Sequence, residues 1–341
     1  MNCCNEKSIV VFGLSASKEL ANKVAIELGS PLSEIKIEKF ADGEIIVTPL
    51  VPVRGKKVVI IQSTAKPVND NLMELLIAID AIKRASAKSI AVVIPYYGYA
   101  RQDRKAKPRE PISSRLVAKM LEAAGANAVL TWDIHSLQTQ GFFDISFDSL
   151  EGAWMLMDNY IDLNHYPNDL TIVSPDYGCV KRAREISLVL KSNLAIVDKR
   201  RSGKNEVEIN NILGDVEGQN CILVDDMIDT GGTILGAAKI VKEKGAKTVS
   251  ILATHGLFNK NAIENFSNAI NSGVIDKVYV TDTIERKETY PWLHIVSIAP
   301  VIAECIKIYE KEIGTMSQVY EKYSKTTLMN KLKSCDIKNK N

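Results

Sequence analysis

The chain has 341 residues, of which 46% are hydrophobic and 25% are charged, and its formal net charge is +2. This composition is typical of a globular protein, and so small a net charge gives no general attraction to nucleic acid or to a membrane surface. The sequence contains no apolar run long enough to span a membrane, no signal-peptide core and no cysteines at metal-ligand spacing. We therefore expect a cytoplasmic protein with reduced thiols.

Strand-like and helical patterns alternate through the first half of the chain. Short apolar runs predict strands at residues 7–12, 34–40, 45–49, 57–62, 89–95 and 128–132. Apolar residues at helical spacing predict helices at residues 17–28, 71–85 and 112–124. Such βαβ alternation predicts a mainly parallel sheet with helices on its faces.

The second half repeats this alternation after a polar stretch at residues 160–168. Strands are predicted at 170–173, 194–197, 221–224, 248–253 and 278–281, and helices at 180–190, 234–244 and 300–309. Because the succession of elements over 57–95 resembles that over 220–257, we predict an α/β protein with two similar domains, at 1–150 and 151–321. Residues 322–341 are rich in lysine and poor in large apolar side chains, so we expect a disordered tail.

The stretch after the strand at 221–224 carries the clearest chemistry. We expect its two acids to end the strand, and a small loop then leads to a helix; the residues concerned are Asp225, Asp226, Asp229, Thr230, Gly231, Gly232 and Thr233. Glycines let backbone N–H groups turn toward an anion, and a helix N-terminus adds partial positive charge. Paired carboxylates suit sugar hydroxyls or a hydrated Mg²⁺. A sugar phosphate fits this stretch, because the carboxylates would bind its hydroxyls and the glycine loop its phosphate. A solvated turn after a strand is the simpler alternative.

Polar groups follow several other predicted strands. Asp133 and His135 lie two residues apart, and on an extended chain they would share a face and could hold a divalent ion. Charged runs follow the strands near residues 101 and 198, and each could equally be a solvated surface. Asp176 lies in a Ser-Pro-Asp-Tyr-Gly segment for which a simple turn is an equally good interpretation.

Two of these stretches resemble known families. Residues 225–233 resemble the ribose-phosphate motif of the phosphoribosyltransferase fold, and Asp-Ile-His-Ser-Leu-Gln-Thr-Gln-Gly-Phe-Phe at 133–143 resembles the signature of ribose-phosphate pyrophosphokinases. The resemblance implies that Asp225 and Asp226 hold the 2- and 3-hydroxyls of ribose 5-phosphate. It implies that the loop at 229–233 binds the 5-phosphate.

The same resemblance implies roles for the remaining candidates. Phe40, Asp42 and Glu44 would reach the adenine of ATP across a subunit interface, and Arg101 and Gln102 would also bind ATP. Asp133, His135 and Asp176 would serve Mg²⁺, and Lys199 and Arg201 would be the catalytic cations of a mobile loop. This chain has Cys179 where the family usually has a second glycine.

The family implies an enzyme of nucleotide biosynthesis that transfers the diphosphoryl group of Mg-ATP to ribose 5-phosphate. In its bacterial-like class it also implies a homohexamer, activation by phosphate and inhibition by ADP. One alternative is a nucleobase phosphoribosyltransferase, which would not need a second α/β half. The other is a catalytically silent regulatory homologue, which should have lost the basic loop or the metal residues.

Overall fold

The computed structural model of the chain describes residues 9–164, 169–200, 209–312, 314–323 and 328–329. The chain divides into two compact units. The first consists of Met1–Leu150, Thr283–Glu285 and Ser297–Val319, and the second of Glu151–Asp282, Arg286–Val296 and Tyr320–Asn341. Within the described ranges, no helix is both long enough and apolar enough to span a membrane.

The first unit is built on a parallel sheet with the strand order β1-β4-β5-β6-β7. In chain order the elements are β1 (Ile9–Gly13), α1 (Lys18–Glu27), β2 (Ile35–Lys39), β3 (Ile45–Pro49), β4 (Lys57–Ile61), α2 (Val68–Arg84), β5 (Ser89–Ile94), α3 (Ser113–Ala124), β6 (Ala128–Trp132) and β7 (Ser146–Leu150). β2 and β3 form a separate antiparallel hairpin. Because the sheet is parallel, the loops after β1, β4, β5 and β6 lie at one edge, where α/β proteins bind ligands.

The core of this unit explains why its strands are almost continuously apolar. Phe12 and Ile60 of the sheet are fully buried, as are Leu75 of α2 and Leu121 of α3. Helices packed on a parallel sheet remove both of its faces from water, which favours β-branched and other apolar residues at every strand position.

The second unit contains a longer sheet of the same kind. Its elements are α4 (Gly152–Asn164), β8 (Leu170–Ser174), α5 (Val180–Leu190), β9 (Asn193–Arg200), β10 (Ile209–Leu213), β11 (Asn220–Ile228), α6 (Gly232–Glu243), β12 (Thr248–Gly256), α7 (Ala262–Asn271), β13 (Lys277–Thr281) and β14 (Leu293–Val296). The strand order is β10-β9-β8-β11-β12-β13-β14, and among the described strands of this sheet only the β9–β10 pair is antiparallel. β11 therefore ends near the middle of the sheet edge. The predicted α/β class with two mainly parallel sheets is confirmed.

The end of the chain departs from the predicted domain ranges. The helices α8 (Ala299–Lys311) and α9 (Met316–Lys322) follow β14. Residues 297–319 belong to the first unit, whereas the sequence placed them in a domain at 151–321. The physical reason is that α8 packs against α1. In addition, the Lys57 side chain donates hydrogen bonds to the carbonyl oxygens of Tyr309 and Glu310 at 2.9 and 3.0 Å.

The predicted tail at 322–341 also differs from the structure at one residue. Leu328 is only 2% exposed and belongs to the apolar cluster of the second unit that includes Trp154, Leu156 and Met157. The expectation that the tail packs nowhere is therefore wrong at Leu328. Residues 324–327 and 330–341 lie outside the described part of the chain.

The strands β9, β11 and β12 continue beyond their predicted ends, and the helices α4, α7 and α9 were not predicted. The acids at 225 and 226 do not end β11, because the long β12 supplies a partner as far as the Ile228–Gly256 pair. β9 similarly extends to Arg200, which pairs with Ile209 of β10. Helix α4 includes residues 160–164, where the sequence suggested only a polar stretch. It is a core helix in which Tyr160 and Ile161 are buried.

Candidate active site

The central strand of the second sheet leads into a glycine loop and a helix. β11 ends at Ile228, and α6 begins at Gly232. Gly231 has a φ of 79°, and a Cβ at this residue would lie 2.6 Å from a ring carbon of Phe266. Both the backbone conformation and the space therefore require glycine. The first N–H groups of a helix are not used within the helix, so this end of α6 can bind an anion such as phosphate.

The loop between strand and helix is held by a residue that sequence reasoning missed. Asn259 donates from its side-chain amide to Asp229 Oδ1 at 2.7 Å and from its backbone N–H to the Asp229 carbonyl at 2.9 Å. Asn259 follows β12, and no linear pattern connects it with Asp229. Thr230 and Thr233 are exposed and can offer their hydroxyls to a ligand. Asp229 thus shapes the loop, and the threonines face outward from it.

The carboxylate pair lies within β11, just beyond its last described pair with β8 at Leu223–Val173. Asp226 is 8% exposed, and its backbone N–H donates to Asp225 Oδ1 at 2.8 Å. Burial, and then the neighbouring Asp226 carboxyl, raise the pKa of Asp225 well above its usual range. Two acids held so close in a partly dry environment repel each other when both are ionised. A ligand that donates hydroxyl protons or carries positive charge would relieve that repulsion.

Asp176 is brought close to this pair by the turn before α5. Its Oδ1 accepts hydrogen bonds from the N–H groups of Gly178 at 2.8 Å and Cys179 at 3.2 Å. The thiol of Cys179 in turn donates to Asp225 Oδ1 across 3.1 Å. Burial, and then the Asp225 carboxyl, raise the pKa of the Cys179 thiol, so the sulfur keeps its proton. Cys179 therefore links the carboxylates of Asp176 and Asp225.

The predicted catalytic cations can be located only in part. Lys199 lies in β9 and pairs in register with Asn210 of β10. Its side chain and the whole of Arg201 lie outside the described residues. Their roles stay predictions.

The hairpin of the first unit carries the adenine-binding candidates at its tip. The Phe40 N–H donates to the Glu44 carbonyl at 2.8 Å, and the Gly43 N–H donates to the Phe40 carbonyl at 2.9 Å. Asp42 Oδ1 accepts from the Glu44 N–H at 3.0 Å, and Gly43 has a φ of 96°. This tight turn leaves the Phe40 ring 54% exposed beside two exposed carboxylates. An exposed aromatic ring with nearby acceptors is suited to a flat, amino-bearing ligand.

The loop after β5 presents the second group of nucleotide candidates. The Gly98 N–H donates to Thr64 Oγ1 at 2.6 Å, and a Cβ at Gly98 would lie 2.5 Å from the Thr64 carbonyl oxygen. Gln102 accepts hydrogen bonds from the Ser113 hydroxyl at 2.6 Å and, through its carbonyl, from the Ser114 N–H at 3.1 Å. Gln102 is thus tied to the start of α3, and Arg101 beside it is exposed at the carboxyl edge of the sheet.

Asp133 and His135 follow β6 at the same edge, but not on an extended chain. Asp133 has a φ of 34°, so the backbone bends there and the predicted shared face is wrong. The bend is held by two hydrogen bonds: the Asp133 N–H donates to the Leu150 carbonyl at 2.8 Å, and the Ile134 N–H donates to the Ser149 hydroxyl at 3.2 Å. Asp133 is buried, whereas His135 is exposed.

A complete metal cage is not found in the residues that the structure describes. Among them, no three His, Cys, Asp or Glu side chains form a group that could hold an ion. Mg²⁺ does not require such a cage, because it commonly keeps several waters and uses one or two carboxylates together with substrate phosphates. The carboxylate of Asp176, in the turn before α5, has the donor chemistry for such an ion.

Comparisons with known proteins agree on one family. Residues 9–125 match the N-terminal domain of ribose phosphate pyrophosphokinase, and residues 183–321 match the phosphoribosyl synthetase-associated domain. A ribose-phosphate pyrophosphokinase of Ureaplasma parvum serovar 3 is 66% identical over 324 residues, which cover 95% of this chain and 98% of that protein. Another, from Campylobacter jejuni, is 50% identical over 303 residues, which cover 89% of this chain and 96% of that protein.

A solved structure extends the agreement to the fold. The crystal structure of phosphoribosylpyrophosphate synthetase from Mycobacterium smegmatis has a TM-score of 0.83 at 41% identity, and the match covers 89% of this chain and 99% of that chain. Fold, family models and near full-length relatives lead to the same conclusion. The chain belongs to the ribose-phosphate pyrophosphokinase family.

Proposed function

We propose that the protein transfers the diphosphoryl group of Mg-ATP to the anomeric hydroxyl of D-ribose 5-phosphate. A bond forms between that oxygen and the β-phosphorus, the bond from the β-phosphorus to the α,β-bridging oxygen breaks, and the hydroxyl proton is released. The products are 5-phosphoribosyl 1-diphosphate (PRPP) and AMP, and the former feeds nucleotide biosynthesis. The arrangement of β11 and α6 carries this proposal, because it offers carboxylates for hydroxyls and a helix N-terminus for a phosphate at one strand end.

Ribose 5-phosphate would bind along the end of β11. Asp225 and Asp226 would accept hydrogen bonds from the ribose 2- and 3-hydroxyls. The N–H groups at the start of α6 and the hydroxyls of Thr230 and Thr233 would donate to the 5-phosphate. Gly231 supports this role because a side chain there would collide with Phe266 and distort the loop.

ATP would use the candidates of the first unit. The exposed Phe40 ring can stack on adenine, and Asp42 or Glu44 can accept a hydrogen bond from its amino group. The Arg101 guanidinium suits a phosphate oxygen, and Gln102 holds that loop on α3. From the family resemblance we propose that the hairpin lies at a subunit interface and that the protein is a homohexamer.

Diphosphoryl transfer needs charge compensation more than covalent chemistry. Bound Mg²⁺ would neutralise charge on the phosphate oxygens. Asp133 and His135 of the first unit are proposed to serve Mg²⁺, and so is Asp176 of the second unit. Lys199 and Arg201 are proposed to stabilise the charge that develops on the transferred group. We further propose activation by phosphate, inhibition by ADP and a cytoplasmic location.

The reaction is tested by incubating the purified protein with ATP, ribose 5-phosphate and Mg²⁺. We expect AMP and PRPP in equal amounts, and neither product when any one component is omitted. Formation of ADP and a sugar bisphosphate would show single phosphoryl transfer and would contradict the proposal. AMP release without ribose 5-phosphate would contradict it equally, and conversion of PRPP and a free base to a nucleotide would favour a phosphoribosyltransferase.

A further inference from the structure

The carboxylate pair occupies a strand extension that α5, rather than β8, supports. The described pairing of β8 with β11 ends at Val173–Leu223, whereas β11 continues to Ile228. The turn before α5 and the first turn of this helix approach the extension instead. They bring Cys179 and Arg182, which are three residues apart and so share one side of the helix start, to Asp225.

Asp225 is held at both its side chain and its backbone. Its Oδ1 accepts hydrogen bonds from the Cys179 thiol at 3.1 Å and from the Asp226 N–H at 2.8 Å. Its carbonyl oxygen accepts one from Arg182 Nη1 at 3.3 Å. Two donors on one oxygen restrict rotation of the carboxylate, whose terminal torsion is otherwise broad.

Cys179 also connects Asp225 with Asp176. Its backbone N–H donates to Asp176 Oδ1 at 3.2 Å, while its side chain reaches the strand. A glycine here would keep the first contact and lose the second. The side chain of Cys179 therefore adds the link to the strand, and Asp225 is the group that it acts upon.

We propose that Cys179 is a positioning residue for ribose 5-phosphate, whose thiol holds the Asp225 carboxylate in the orientation that receives a ribose hydroxyl. The inference rests on the proposed function. If the carboxylate is already fixed before the sugar binds, binding does not have to lose the rotational entropy of that side chain, and the affinity for the sugar is higher. The effect should fall on sugar affinity, because the contact is the same in ground state and transition state.

The test compares Cys179→Ala, which removes the donor, with Cys179→Ser, which keeps a hydroxyl donor at the same position. Cys221→Ala is the matched control, because Cys221 is a buried thiol of the apolar core in β11, the strand that also contains Asp225. Initial rates give kcat and both KM values for each protein, and thermal unfolding shows that each is folded. For Cys179→Ala we expect KM for ribose 5-phosphate to rise about three- to tenfold, the range for one lost hydrogen bond, with kcat and KM for ATP within about twofold.

The serine variant and the Cys221→Ala control show whether the lost hydrogen bond causes the rise in KM for ribose 5-phosphate. Cys179→Ser should stay within about twofold of the parent, and so should Cys221→Ala. An alanine variant with the parent KM for ribose 5-phosphate would overturn the inference. Equal impairment by alanine and serine would also overturn it, since packing and not the donated proton would be responsible. A parent protein that forms no AMP would instead overturn the proposed function, so the two failures are distinguishable.

Discussion

Asp226 is the more deeply buried acid of the Asp225–Asp226 pair, at 8% exposure. Removing a hydrogen bond at this buried site is therefore costly in binding free energy. If it accepts a ribose hydroxyl, Asp226→Ala removes a buried hydrogen bond worth about 1–3 kcal/mol. We expect KM for ribose 5-phosphate to rise roughly tenfold or more, while KM for ATP changes little. Glu243→Ala, at the far end of α6, is the control acid and should have no effect on either KM. A folded Asp226→Ala protein with unchanged sugar affinity would remove Asp226 from the binding site.

Asp148 offers a test of pH dependence away from the ribose-phosphate loop. It lies half-buried in β7, and desolvation raises the pKa of its carboxyl. The pKa of Asp148 is higher in the folded than in the unfolded protein. Its favourable contribution to the free energy of unfolding is therefore complete below the unfolded pKa and is lost as the pH rises through the folded pKa. Asp148→Asn should therefore raise the unfolding temperature at neutral pH, by roughly 1–3 °C, and this gain should vanish near about pH 4.

Asp144, a second aspartate of the same unit, has a pKa shift in the opposite direction. Asp144 is exposed, and its hydrogen bond with Lys119 at 2.6 Å lowers the pKa of its carboxyl. Its contribution is present above the unfolded pKa and is lost as the pH falls through the folded pKa. Asp144→Asn should therefore give no gain at neutral pH. If both substitutions shift the unfolding temperature alike at every pH, burial of Asp148 is not the cause.

At the scale of single elements, α8 depends on a lysine from β4 for its last turn. Lys57 is almost completely buried, donates to the carbonyls of Tyr309 and Glu310, and pairs with Glu312 at 2.5 Å. The last carbonyl groups of a helix are left over by its internal hydrogen-bond pattern, so the ammonium group acts as a cap for these two. Lys57→Met should reduce the free energy of unfolding by about 1.5–3 kcal/mol, the value of hydrogen bonds to a charged group.

Lys88 gives the matched control for that measurement. It approaches the same Glu312 at 3.9 Å but is largely exposed. Exposed ion pairs contribute about 0–1 kcal/mol, so Lys88→Met should be close to neutral in denaturant unfolding. Equal losses from both substitutions would mean that general charge around Glu312, rather than capping by Lys57, stabilises α8.

Local patterns predicted the existence of most elements better than their ends. Apolar periodicity predicted α2, α3, α5 and α6 within a few residues, because one face of each contacts a core. It failed at the end of β11, since the partner that carries the strand past Asp225 lies almost thirty residues later in β12. The same limit applies to the site: residue types in the glycine loop indicated a phosphate, but nothing local indicated Asn259 or Arg182 as supports.

At the scale of the whole molecule, the sequence predicted two α/β units but not which segments complete each one. The apolar face of α8 showed that this helix is buried, and Val301, Ile302 and Ile306 are indeed within a core. A hydrophobic face does not specify its partner, so the return of residues 297–319 to the first unit could not be read from it. Sequence order therefore suggested a simpler division of the chain than the folded protein has.

The packing of Leu328 in the core of the second unit changes the expectation for truncation. The side chain is 2% exposed against Trp154 and Met157, whereas its neighbour Met329 is 39% exposed. Core Leu→Ala substitutions cost about 2–5 kcal/mol of the free energy of unfolding. Leu328→Ala should therefore lower the unfolding temperature clearly, and Met329→Ala should not.

Two truncations test the same contact without changing a side chain. A protein ending at Met329 should unfold at the temperature of the full chain, and one ending at Tyr323 should unfold as early as Leu328→Ala. Both should keep kcat and both KM values at low temperature, since Leu328 contacts the apolar core of the second unit and none of the proposed substrate-binding residues among its described contacts. If the shorter protein is as stable as the full chain, the contribution of Leu328 is negligible and residues beyond Tyr323 are dispensable for the fold.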